Sequence, residues 1–284
     1  VPAGLVLAAA LLIGAPPADV RRPDLATYEV LETTRTVSPA GERNGGSAGT
    51  ILVSGPRARW ELAHGTFPRS SAGVVLADGG GVTLLDTRER LSASAALDDF
   101  TALFRGRIGP EGPSASTVRD LAVKVEPRGA GRAFEGRPTA RWTLEAAWTL
   151  VVSTPGRIAR VATEVKGTVE ALDEPAARSA FDALSRILPA RGAAAEALDL
   201  ELAKITGVPV SASFDVVSKS TVEQPGMPSG TEPPPKPVEA RQTITRRLTH
   251  LSVRKGEPAD DALFAVPDGF HTRGLERLVP ESPP

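Results

Sequence analysis

The chain contains no cysteine in 284 residues. That single absence excludes disulfides, thiolate nucleophiles, iron–sulfur clusters and cysteine-ligated zinc. An excess of either charge is also missing, with 33 Lys and Arg against 34 Asp and Glu. Without a basic surplus there is nothing to drive phosphate neutralisation, so nucleic acid is not an expected partner. Reactive side chains are scarce: three histidines, one methionine and 4% aromatic residues. His64, His250 and His271 stand far apart, in no H-x-x-x-H or H-E-x-x-H arrangement, so no local metal site is read from them. No G-x-S-x-G elbow is present to carry a hydrolase nucleophile. The acidic pairs Asp98-Asp99 and Asp260-Asp261 fall at expected helix starts, where carboxylates cap and complement the dipole. The expectation is a protein that is not an enzyme and uses no cofactor or metal.

What is present is ordinary for a globular chain, with 41% hydrophobic and 24% charged residues. The longest apolar run, Ala3 to Ala15, is too short to cross a bilayer, which takes roughly 20 helical residues. Its length is that of a signal-peptide core, followed by small residues and Pro16-Pro17, although no Lys or Arg precedes it. Residues 1–18 are therefore read as an export signal, with cleavage after Ala15 or Ala18. No cysteine follows that could carry a lipid anchor, so the expected product is periplasmic or secreted and does not span a membrane. Residues 276–284 are polar and proline-rich and read as a disordered tail.

Between these ends the dominant period is two, the mark of half-buried strands. Thr27–Val37 opens the series, and Ser38–Ser47 reads as a loop because of its Gly, Asn and Pro content. Gly49–Ser54, Arg57–Ala63, Val74–Ala77, Val82–Asp86 and Arg90–Ala95 follow as short strands, with a hairpin turn at Asp78-Gly79. Leu97, Phe100 and Phe104 share one face of a helix over Leu97–Arg105. Gly106–Thr117 reads as a loop and Val118–Glu126 as a strand. The clearest alternation is Trp142, Leu144, Ala146, Trp148, Leu150 and Val152, against Arg141, Thr143, Glu145, Ala147 and Thr149. Pro155-Gly156 supplies a type II turn into a second long strand. Asp173 and Pro175 signal a helix carrying Phe181, Leu184, Ile187 and Leu188, and a second helical stretch carries Leu198, Leu202 and Ile205. Val208–Val216 and Arg241–Val253 return as strands on either side of a Pro-rich loop, 223–238.

The expected fold is mainly β (α+β). It is a single curved antiparallel sheet of about eleven strands, forming an incomplete barrel, with two or three helices covering the concave side. One domain is expected over 27–270. Trp60, Leu62, Leu84, Trp142, Leu144, Trp148 and Leu150 fall on apolar strand faces, and Phe100, Phe104 and Phe181 on helices beside them. These ten residues form either a packed core or the wall of a cavity for an apolar ligand.

Three stretches carry a family resemblance. Val74–Gly79 with Val82–Thr87 forms a strand, Asp-Gly turn, strand, aspartate pattern. Phe134-Glu135-Gly136-Arg137-Pro138 leads into a long strand. Gly207-Val208-Pro209 is matched by a closing Phe264-Ala265-Val266-Pro267-Asp268-Gly269-Phe270. In this order they resemble the lipoprotein-localisation (LolA/LolB-like) half-barrel fold, and most closely a group of uncharacterised exported bacterial proteins that share it. The resemblance implies an apolar cavity between sheet and helices, and a non-catalytic binding or carrier role for a lipid or lipoprotein acyl chain in the cell envelope. Lipoprotein transport itself is not carried over, because the aromatic meander of those carriers is here Val-Leu-Leu. The alternative is a structural or sensory envelope protein that acts on a protein partner, with the Pro-rich loop as contact.

Overall fold

The computed structural model describes residues 22–64, 72–78, 80–96, 115–173, 188–190, 192–223, 236–275 and 278. The strands are β1 (Leu25–Ser38), β2 (Gly41–Ser54), β3 (Arg57–His64), β4 (Val74–Asp78), β5 (Gly81–Asp86) and β6 (Leu91–Ala96), then β7 (Ala115–Ala130), β8 (Thr139–Thr154), β9 (Arg157–Leu172), β10 (Val208–Glu223), β11 (Val238–Arg254) and β12 (His271–Thr272). Helix α1 (Ala193–Leu202) and a 3₁₀ helix (Pro258–Phe264) are the helices among the described residues.

All twelve strands belong to one sheet, in the order β12-β6-β5-β4-β3-β2-β1-β11-β10-β9-β8-β7. The sheet does not close, since β12 and β7 remain at opposite ends of that order. Every pairing is antiparallel except β12 with β6, which is parallel. The described residues thus hold one strand more than the eleven or so expected, and the antiparallel sheet carries one short parallel pair at its edge. The extra strand is a two-residue segment too short to show any period. A correction concerns Ser38–Ser47, expected as a loop. Here β1 and β2 pair without interruption from Leu25↔Ser54 to Ser38↔Gly41. The glycines serve close approach: a Cβ on Gly46 would lie 2.6 Å from the Glu32 carbonyl oxygen. Likewise β7 begins at Ala115, inside the expected loop 106–117.

The alternation is realised as one apolar face. Cross-strand register aligns Tyr28 with Ile51, Ile51 with Trp60, Trp60 with Val75, Val75 with Leu84 and Leu84 with Ala93. In the other direction Ile244 aligns with Phe214, Phe214 with Gly167 and Gly167 with Leu144. Arg141, Thr143 and Glu145 take the opposite face of β8, as the alternation requires. The turn between β8 and β9 has Gly156 at φ 74°, the positive value a type II turn needs at its third residue.

Two hydrophobic clusters occupy that face. The first gathers Tyr28, Val30, Ile51, Trp60, Leu84, Leu248 and Leu251 from β1–β5 and the end of β11. The second gathers Leu144, Trp148, Val165, Phe214 and Ile244 under Ala194, Ala195, Leu198 and Leu202 of α1. Helix α1 also manages the free edge of the sheet: the Val125 N–H of β7 donates to the Glu201 carboxylate at 3.1 Å. Leu278 is fully buried in the first cluster, although 276–284 reads from its composition as a tail.

Residues 258–270 pack on the opposite face. Phe264 lies under the Arg57 guanidinium at 4.8 Å, and Phe270 packs on Val74, Leu76 and Leu85. This double covering explains why all of Val74-Val75-Leu76-Ala77 is buried. Asp260 caps its 3₁₀ helix by accepting the Glu257 N–H at 2.7 Å, and Arg254 grips the same carboxylate with two bonds of 2.9 and 2.6 Å. The expected capping role is therefore seen for Asp260, with Glu257 as the residue that precedes the helix, while the Asp261 carboxylate pairs with Arg22 and Arg57; Asp98-Asp99 lies outside the described residues.

Candidate functional site: a divided apolar face

Of the ten expected lining residues, seven lie among the described residues. Trp60 and Leu84 are buried in the first cluster, with Leu62 packed against it. Leu144 and Trp148 are buried in the second, with Trp142 packed against it. Leu150 is half-buried on the same face of β8. Phe100, Phe104 and Phe181 lie outside the described residues, as do the expected helix over Leu97–Arg105, the leader 1–18 and most of the Pro-rich loop. The seven therefore share a face of the sheet but gather as two groups, not one.

What separates the groups was not anticipated. Glu32 of β1 lies directly opposite Arg246 of β11. Both continue the apolar phase of their strands, Glu32 after Tyr28 and Val30, Arg246 between Ile244 and Leu248. Val30 and Leu248 belong to the first cluster and Ile244 to the second, so the charges sit on the boundary. Arg246 is only 1% exposed, the largest fully buried side chain among the described residues. Its Nε lies 3.7 Å from Glu32 Oε1, and Ser47 Oγ approaches Glu32 Oε2 at 3.5 Å. A guanidinium is a cation, so this position places a positive charge inside an otherwise apolar wall. Burying such a pair adds little stability relative to an apolar replacement, which leaves its presence unexplained by packing alone. The sequence signal was available: a charged residue in phase with apolar neighbours on a period-two strand.

A second polar group on this face is the Trp142 indole N–H, which is buried without an acceptor among the described residues. The histidines lie on separate elements, His64 ending β3, His250 in β11 and His271 opening β12. His250 Nδ1 contacts the Glu135 carboxylate at 2.8 Å. Burial pushes the Glu135 carboxyl up, but the His250 hydrogen bond and charge, the Leu251 N–H and the Arg137 charge together hold it below the usual carboxylate value. Among the described residues no group of three or more His, Asp or Glu could hold a metal ion. Nor is any described helix long and apolar enough to cross a membrane. The site offers apolar area, one buried cation facing a part-buried carboxylate, and one indole donor.

No protein-family model and no curated protein matches the chain. Among solved structures it is similar to a domain described as an outer membrane lipoprotein-sorting protein from Vibrio parahaemolyticus. The identity is 8%, over 84% of this chain and 91% of that one, with a TM-score of 0.25. It is also similar to OccK8 (OprE) of Pseudomonas aeruginosa, at 9% identity over 82% of this chain and 71% of that one, with a TM-score of 0.13. Superpositions this loose carry no weight for fold family or function.

Proposed function

We propose that the chain is a non-catalytic, exported cell-envelope protein that binds a lipid, acyl chain or other apolar ligand on the apolar face of its open sheet. One observation supports this most: the sheet has one extended apolar face whose two clusters are divided by the buried Arg246 and the part-buried Glu32 that it faces. A sheet that only needed a core would gain nothing from Arg246 there. A chain that holds an amphiphile gains a polar point between two apolar surfaces. An acyl chain contributes about 0.8 kcal/mol per buried methylene, so eight methylenes give roughly 6 kcal/mol before ordering costs. The half-barrel resemblance of the sequence points the same way, to a binding or carrier role without chemistry.

The test uses the mature protein, purified without detergent. Native mass spectrometry should reveal a co-purifying mass that organic extraction removes. The extracted protein should then bind the uncharged fluorophore N-phenyl-1-naphthylamine with saturation. A single unliganded mass together with no saturable fluorescence would refute the proposal.

A further inference from the structure

We infer that the segment Gly131–Pro138 is a gating strap, and that Phe134 occupies the place an apolar ligand takes on the first cluster. The inference rests on the binding role proposed above.

The strap begins on one side of the sheet and ends on another part of it. Its base is tied to β8 and β9: Gly131 N–H donates to the Thr139 carbonyl at 2.8 Å, Thr139 Oγ1 donates to the Arg132 carbonyl at 2.8 Å, and Arg132 N–H donates to the Glu170 carboxylate at 3.2 Å. Its tip is tied to β11, where the Glu135 carboxylate meets His250 Nδ1 at 2.8 Å and accepts the Leu251 N–H. In the sheet, β9 and β10 stand between β8 and β11. The strap thus spans three strand spacings, about 14 Å. It can dock there because the β10–β11 ladder stops at Ser211↔Arg247, beyond which β11 has no partner from β10.

The tip is a two-residue turn. Phe134 and Arg137 bond to each other in both directions at 2.9 Å, with Glu135 at φ 47° and Gly136 at φ 75° between them. Two positive φ values in succession make a type I′ turn, for which Asn-Gly is the usual choice. Glu135 adopts its strained conformation while its carboxylate is held at β11. Strain of this kind persists only where surrounding contacts over-determine it. The turn delivers the Phe134 ring onto the first cluster, the one containing Trp60, Leu84 and Leu251. Arg137 covers the ring at 5.8 Å and bonds the Glu135 carboxylate at 3.1 Å. One ring, one half-exposed carboxylate–imidazole contact and the Leu251 N–H therefore hold the tip of the strap down. Such contacts suit a segment that lifts: the ring leaves, and a chain of similar apolar character takes its place.

The cysteine-free sequence makes the test clean. Glu135→Cys and His250→Cys introduce the only thiols, at positions whose native side chains touch. A short bis-maleimide then locks the strap, and the same variant left unlinked is the control. N-phenyl-1-naphthylamine is the probe, and cooperative urea unfolding verifies the fold of each sample. The unlinked variant, and Phe134→Ala, should bind the probe at least as tightly as the wild type. Linking should weaken binding by about tenfold or more, because the closed state becomes the only one populated. Linked and unlinked samples agreeing within about twofold would overturn the strap while leaving the binding role intact. Folded wild type and folded variants that all fail to bind would overturn both.

Discussion

Gly167 and Phe214 provide a sharp test of the register of the apolar face. They lie directly opposite each other on β9 and β10. A Cβ on Gly167 would sit 2.2 Å from Phe214 Cδ1, 2.9 Å from Cε1 and 2.7 Å from the Ser213 carbonyl oxygen, whereas ordinary contact begins at 3.4 Å. Phe214 is fully buried in the second cluster, so its ring has no solvent to retreat into. Gly167→Ala should therefore overpack the core. Such insertions cost about 1–3 kcal/mol, and the stiffer unfolded chain returns about 0.5 kcal/mol. The expected net loss is about 0.5–2.5 kcal/mol, or a Tm lower by roughly 1–10 °C. Urea unfolding followed by tryptophan fluorescence reads it as a lower midpoint at unchanged slope. Phe214→Leu alone should also destabilise, by about 1–2 kcal/mol, because it leaves a void over the glycine. Combined, the two changes should be less harmful than their sum by about 1 kcal/mol or more, the added methyl filling the space the ring vacated. An unchanged midpoint for Gly167→Ala, or strict additivity in the double variant, would refute the stated packing.

The charge pair and the C-terminal clasp give two more predictions. Arg246→Ala should cost about 3–5 kcal/mol in urea unfolding because it empties the space of a fully buried side chain and removes the cation that faces Glu32, whereas Arg246→Met with Glu32→Leu should be near neutral or stabilising. Equal losses in both variants would show that the pair is needed for stability itself. Asp260 is held below the usual carboxylate value by hydrogen bonds from Arg254 and the Glu257 N–H, and Asp261 by hydrogen bonds from Arg22 and Arg57. Carboxylates lowered in the folded state contribute stability that is present above their unfolded pKa, about 4, and lost as pH falls through the folded value. Asp260→Asn should therefore lower the urea midpoint at neutral pH and make its decline below about pH 4 shallower than in the wild type. A parallel decline in both proteins would remove Asp260 from the acid response.

Much of this architecture was legible wherever a strand is half-buried and says so residue by residue. Trp142 to Val152 placed β8, and Leu198, Leu202 and Ile205 placed the buried side of α1 and its exit. The start of β2 was not legible, because Gly41–Gly46 is exposed throughout and carries no alternation; it is a strand only because β1 pairs with it. The two residues of β12 were hidden for the same reason, being held by the Arg90 carbonyl and the neighbouring strand, not by any pattern of their own. Strand order is a further step removed, since alternation tells which face a residue takes and not which strand lies beside it.

That limit decides which parts of the candidate site a sequence can display. The tryptophans and leucines stand out one by one because each is apolar and inward. Glu32 and Arg246 do not, although each interrupts an inward apolar phase, Glu32 after Val30 and Arg246 before Leu248. Alone, either residue is a charge at an odd position in a strand. They become one feature only when the first long strand is placed beside the eleventh, 214 positions later in the chain, and that adjacency is written in the register Glu32↔Arg246. The same pairing joins the two clusters along the sheet and draws the line between them. An ion pair in phase with the core therefore marks the boundary, and the chemistry that distinguishes this face from an ordinary core lies there, not among the aromatic residues.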